Sequence, residues 1–180
     1  MAIDLPYLRM GLYGVLVVFS FIVLCLTGVR LNYTNHLPRH DSLNSGRDFS
    51  DPVVVELLFS TILTIPWSIF VIWSIHRRYE NPIFGTFLTE IIGLTVLWIF
   101  WVSGAAAATT PWGSLSWCQE FEACRVLSAL VAFAWLGWVT ITVLLGLSLL
   151  FTVANKAMTE PLHGRWNPRE SQFVDNVVRA

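Results

Sequence analysis

Charge is scarce in this chain of 180 residues: Asp, Glu, Lys and Arg make up only 13% of it. Between Arg9 and Arg30, and again between Arg125 and Lys156, there is no Asp, Glu, Lys, Arg or His at all. Runs of that length exclude an ordinary soluble domain, whose helices keep one polar face. No basic cluster accompanies the net charge of −1, so nucleic acid is not the expected partner. The four histidines, His36, His40, His76 and His163, all fall outside the apolar runs, which argues against haem held between spans. There are three cysteines and no Cys-x-x-Cys pair, which disfavours thiol redox chemistry.

What remains is apolar: 55% of residues are hydrophobic, nine are Trp, and the mean hydropathy is +0.62. A helix rises about 1.5 Å per residue and the hydrocarbon layer is about 30 Å thick, so some 20 apolar residues make one crossing. Four stretches qualify, at about 10–30, 53–75, 83–108 and 126–155, and none of the polar segments between them could bury a core alone. The expectation is an all-α integral membrane four-helix bundle occupying residues 1–155, followed by a flexible cytoplasmic tail, 156–180. The first span is read as an uncleaved anchor, because Cys25-Leu26-Thr27-Gly28-Val29 offers no small-x-small cleavage site. Four crossings put both termini on one side with Arg9, Arg77, Arg78, Lys156, Arg165, Arg169 and Arg179, against Arg30, Arg39, Arg47 and Arg125 opposite. That bias places both termini in the cytoplasm.

Span two should start with Asp51 capping free amides and Pro52 in the first turn, and span three with Asn81 and Pro82, leaving 76–82 as a tight hairpin. Pro66 should kink span two. Gly104 and Ala108 form one small-xxx-small pair and Ser128 with Ala132 another, read as packing positions where spans three and four touch. Span four, uncharged for some 45 Å of helix, must tilt or project beyond the hydrocarbon.

Few residues offer chemistry. His36 and Asp41 match an acyltransferase-like His-x4-Asp spacing, but a short loop cannot build the pocket such a base requires. Pro38 between His36 and His40 spoils the helix that a two-His metal site needs. No catalytic, cofactor or metal residue is therefore assigned. Cys118 and Cys124 lie in the second outer loop; one continuous helix would hold them about 9 Å apart, beyond a disulfide's reach of about 7 Å, so bridge and unbroken helix exclude each other. The bridge is preferred, as a staple outside the cytosol. Cys25 is read as apolar filler inside span one. Glu90 is the one carboxylate well inside a span and needs a partner or a proton, with no Lys, Arg or His assigned to any span. Ser20, Ser68 and Ser148 on the other spans fall at similar depth and form a candidate intramembrane polar cluster around it. Glu56 can snorkel near the outer end of span two. Trp residues at span ends are read as interfacial anchors, and the Asn32-Tyr33-Thr34 sequon as unmodified because it lies so close to the membrane.

Several features together resemble the MARVEL-domain family over about residues 9–155: the basic hairpin, the small-residue end of span three, and the cysteine loop leading into an aromatic fourth span. The resemblance is carried by Trp98-Ile99-Phe100-Trp101-Val102-Ser103-Gly104-Ala105-Ala106-Ala107-Ala108, by Trp117-Cys118 to Cys124-Arg125, and by Ala132-Phe133-Ala134-Trp135-Leu136-Gly137-Trp138. It is similar to the small fungal members. The resemblance implies a non-enzymatic role in membrane apposition, vesicle traffic or microdomain organisation at the plasma membrane or on endomembrane vesicles. It implies membrane lipids, further copies or other membrane proteins as partners, no cofactor, and no site residues. The alternative is a small transporter or channel subunit in which Glu90 titrates.

Overall fold

In a computed structural model the described residues are 5–36, 51–79, 85–112, 122–155 and 161–162. They form four helices: α1 (Leu5–Asn35), α2 (Pro52–Arg77), α3 (Phe87–Trp112) and α4 (Glu122–Asn155). Each is long and apolar enough to cross a membrane. α1 packs on α2, α2 on α3, α3 on α4 and α4 on α1, so the helices close into a ring with α1 and α3 on one diagonal.

The buried residues of each helix recur at alternating steps of three and four. On α1 they are Arg9, Tyr13, Leu16, Ser20, Val23, Thr27, Arg30 and Thr34; on α2 the same rhythm runs through Val54, Leu57, Thr61, Thr64, Ser68, Val71 and Ile75. α3 follows with Phe87, Glu90, Leu94, Leu97, Trp101, Gly104 and Ala108, and α4 with Leu127, Leu130, Ala134, Gly137, Ile141, Leu144 and Ser148. This is the heptad seam of left-handed helix packing. Its content inverts that of a soluble bundle: Ser, Thr, Arg and Glu lie inside, while Val15, Val18, Phe21, Phe59, Ile62, Ile92, Ile99, Val139, Val143, Leu150 and Val153 face outward. Lipid rewards that arrangement, since apolar side chains cost nothing against acyl tails while polar ones need protein partners.

Tryptophans and glycines lock neighbouring helices together. Trp101 is fully buried and its Nε1 donates to Thr64 Oγ1 on α2 at 2.9 Å. Trp98 Nε1 donates to Thr142 Oγ1 on α4 at 2.9 Å, and Trp135 Nε1 returns a bond from α4 to Thr109 Oγ1 on α3 at 3.0 Å. The Trp98 and Trp138 rings lie 5.8 Å apart. Gly137 and Gly93 are the notches that admit these rings: a Cβ on Gly137 would overlap Trp101, and one on Gly93 would overlap Trp67. Trp98, Trp101 and Trp135, all within spans, are thus fasteners between helices.

Several boundaries differ from expectation. α1 runs further than its uncharged stretch at both ends, taking in Arg9 and Arg30 because each has a carboxylate partner. Asp51 occupies the N-cap of α2 but makes no side-chain cap bond; its carboxylate accepts Arg30 Nη2 at 3.2 Å instead. α2 ends as Arg78 turns left-handed at φ 50°, its amide donating to carbonyls of the last turn. The helix continues through Pro66 from end to end. α3 begins at Phe87, after Thr86, whose Oγ1 accepts the Thr89 amide at 3.4 Å; the expected start at Asn81 and Pro82 lies outside the described residues. Gly104 packs toward Leu57 of α2, Ala108 is buried, Ser128 is half-buried, and Ala132 faces outward. The α3–α4 contact in that region therefore runs through Trp135 and Thr109, with Ala132 turned away from it. Cys25, expected to be inside, is an exposed free thiol on the lipid-facing side of α1.

A Cβ at Gly137 cannot coexist with the present position of Trp101. Gly137→Ala is expected to destabilise the bundle by about 1–3 kcal/mol, the usual cost of overpacking, read as a lowered midpoint of unfolding in detergent.

Candidate functional site

The strongest concentration of charge inside the bundle lies where α1 and α3 begin. Arg9 and Tyr13 stand one turn apart on the α1 seam, so both side chains point to the same inner surface. Glu90 sits in the first turn of α3, on the facing diagonal. Arg9 Nη2 donates to Glu90 Oε2 in an ion pair whose side chains are 1% and 0% exposed. Tyr13 OH donates to the other oxygen, Oε1, at 2.7 Å. The Arg9 guanidinium also lies over the Phe87 ring, 4.7 Å from its centroid. Its Nη1 donates to the backbone oxygen of Leu162 at 3.0 Å.

That last bond brings the end of the chain into the site. Pro161 and Thr86 form an antiparallel bridge, and the Leu162 amide donates to Gly85 O at 2.9 Å. Leu162 is 1% exposed and roofs the Arg9–Glu90 pair. The tail was expected to be free; these two residues of it are docked, and 163–180 lie outside the described residues. The bond network also places the starts of α1 and α3 and the segment after α4 at one end of the bundle.

A lone carboxylate in a span is expensive, and Glu90 was expected to rely on serines. Its hydrogen bonds go to Arg9 and Tyr13 instead. Ser20, Ser68 and Ser148 are all fully buried, and their hydroxyls have no hydrogen-bond partner among the described residues. In the sequence Arg9 reads as the boundary of a span, but a cation lies inside one when a carboxylate faces it. The signal for Tyr13 was its spacing from Arg9, one turn away in the same heptad seam.

The other end carries a smaller polar set. Arg30, 6% exposed, pairs with Asp51 and lies 5.9 Å from the Tyr33 ring centroid. Glu56 Oε1 accepts Ser103 Oγ from α3 at 2.5 Å, so this carboxylate joins two helices. Cys124, near the start of α4, is disulfide-bonded; Cys118 lies outside the described residues. Among the described residues no group of three His, Cys, Asp or Glu could hold a metal ion. Among the described residues, these groups neutralise one another's charge across helices. No family model, curated protein or solved structure matches the chain.

The Arg9–Glu90 pair gives a double-mutant cycle with a clear sign. Arg9→Met or Glu90→Gln alone strands a buried charge or leaves its partner uncompensated and should cost about 3–5 kcal/mol. The pair Arg9→Met with Glu90→Gln, which leaves no charge, should recover most of that loss in a detergent unfolding titration.

Proposed function

We propose that this multi-pass membrane protein acts by organising the membrane around it, sorting laterally by bilayer thickness and packing with lipids, further copies of itself or other membrane proteins. The observation that carries the reading is α4. Its 34 residues span about 51 Å, and no charge interrupts it between Arg125 and Lys156. The apolar exterior continues to its last turns, where Leu150 and Val153 are each 71% exposed. α2 and α3, with 26 residues each, are about 39 Å long. Hydrocarbon about 30 Å thick covers α4 only by thickening locally or by letting the helix tilt, and the neighbouring α1 is also long at 31 residues. A bundle with one long flank has its lowest energy where the bilayer is thickest.

The resemblance to MARVEL-domain proteins points the same way, toward apposition, vesicle traffic or microdomains at the plasma membrane or endomembrane vesicles without catalysis. With Arg9 and Arg30 consumed in internal pairs, the remaining cations still favour the side holding Arg77, Arg78, Lys156, Arg165, Arg169 and Arg179, so both termini are proposed to be cytoplasmic. The test is partition of the labelled protein between thick and thin phases of reconstituted vesicles. Enrichment in the thick phase is expected; an even distribution removes the mismatch mechanism.

A second reading, a small transporter or channel subunit with Glu90 as the titrating group, draws on the buried hydroxyls of Ser68 and Ser148, which have no partner among the described residues. Against it stands the engagement of both Glu90 oxygens by Arg9 and Tyr13. Proteoliposomes loaded with a pH-sensitive dye separate the two: the organiser reading expects no proton flux from the parent protein. A flux abolished by Glu90→Gln would establish transport.

A further inference from the structure

Buried hydroxyls in this bundle fall into two groups. Those of Thr27, Thr34, Ser60, Thr61, Thr64, Thr140 and Thr152 fold back onto a carbonyl three or four residues earlier in their own helix, at 2.6–3.2 Å. Those of Ser20, Ser68, Ser74 and Ser148 do not, although the same type of acceptor lies one side-chain rotation away on each helix. Ser68 and Ser148 are both 0% exposed, and neither finds a protein partner among the described residues. Arg9 Nε, in the ion pair itself, is a further buried donor left over.

Register brings these groups to one level. Arg30 and Asp51 pair α1 with α2, and Ser68 lies as far along α2 from Asp51 as Tyr13 lies back along α1 from Arg30. The Phe87 and Phe151 rings, 4.9 Å apart, pair α3 with α4, and Ser148 lies as many residues before Phe151 as Glu90 lies after Phe87. Trp67, beside Gly93, sets α2 against α3 one turn further in than Glu90, which again leaves Ser68 close to Glu90's level. Ser68, Ser148, Tyr13, Glu90 and Arg9 therefore occupy adjacent layers of the seams of four different helices, all facing the axis.

Leaving a buried hydroxyl or guanidinium N–H unbonded costs on the order of 1–3 kcal/mol each, and three such groups, Ser68 Oγ, Ser148 Oγ and Arg9 Nε, lie in these adjacent layers. A water molecule needs two to four polar partners, and this layer supplies them. We infer that the Arg9–Glu90 layer is an internal hydration site, in which water bound between Ser68, Ser148 and Arg9 Nε completes the bonding of the polar centre beneath the Leu162 roof. The ligand class is water, held as part of the structure. The inference is independent of the organising role and stands or falls without it.

The test is infrared difference spectroscopy of the full-length protein in lipid, comparing H2 16O with H2 18O. Bound water gives sharp isotope-sensitive O–H stretching bands, expected in the parent protein and lost or strongly reduced in Ser68→Ala/Ser148→Ala. The unfolding midpoint of the same double variant supplies a second readout with a definite sign. Removing hydroxyls that hold water lowers it, whereas removing hydroxyls that face a dry apolar interior leaves it unchanged or raises it. Absence of the isotope-sensitive bands in the parent, or a double variant at least as stable as the parent, overturns the inference. A control, Ser60→Ala, removes a hydroxyl bonded to its own helix and should leave the bands unchanged.

Discussion

A carboxylate held away from water has to be neutralised by something covalently far away, and in this bundle that requirement ties three parts of the chain together. Glu90 on α3 draws in Arg9 and Tyr13 from the diagonal helix, and Arg9 in turn holds the Leu162 carbonyl that follows α4. In water such a pair is replaceable by well-packed hydrophobic residues with little loss. In lipid it has a second use. Packing between apolar helices has no hydrophobic driving force of its own there, so a matched pair of charges selects which faces meet and in what register. The heptad seams then have a fixed starting layer, from which the Trp–Thr bonds and the glycine notches follow along the helices.

The distribution of polarity is consistent with this. Serines and threonines line the inside, mostly bonded to their own helices, where they reduce side-chain bulk and let the backbones approach. Indole donors make the links between helices, α3 to α2 through Trp101 and Thr64, and α3 to α4 through Trp98, Thr142, Trp135 and Thr109. α3 takes part in every one of these links, and it is also the helix that carries Glu90. It carries all of these links although it is one of the two shortest helices.

Much of this architecture was legible in the amino-acid order. Four helices followed from the gaps between charges, because lipid tolerates no unsatisfied backbone and few charges. Glu90 stood out for the same reason. Its partner did not: reading Arg9 as the boundary of a span removed it from consideration, and only the facing helix reveals it to be inside. Asp51 was assigned a local role in capping, but Arg30, a charged residue on the neighbouring helix, competes for its carboxylate and wins. The described start of α3 at Phe87 follows Thr86, which pairs with Pro161, a residue 75 positions later that no local signal connects to it. The seams themselves were hidden in plain view, since a heptad whose inner positions hold Ser, Thr and Arg does not register as a hydrophobic stripe.

The roof formed by Leu162 has a consequence for biosynthesis. A ribosome delivers α1 first, carrying Arg9, and its counter-charge on α3 is made only after α2 has followed. The residue that closes over both follows the fourth helix in the chain, so it can take its place only once that helix is in position. Until then the charged layer stays open at one end, so the polar heart of this protein is begun early in translation and sealed last.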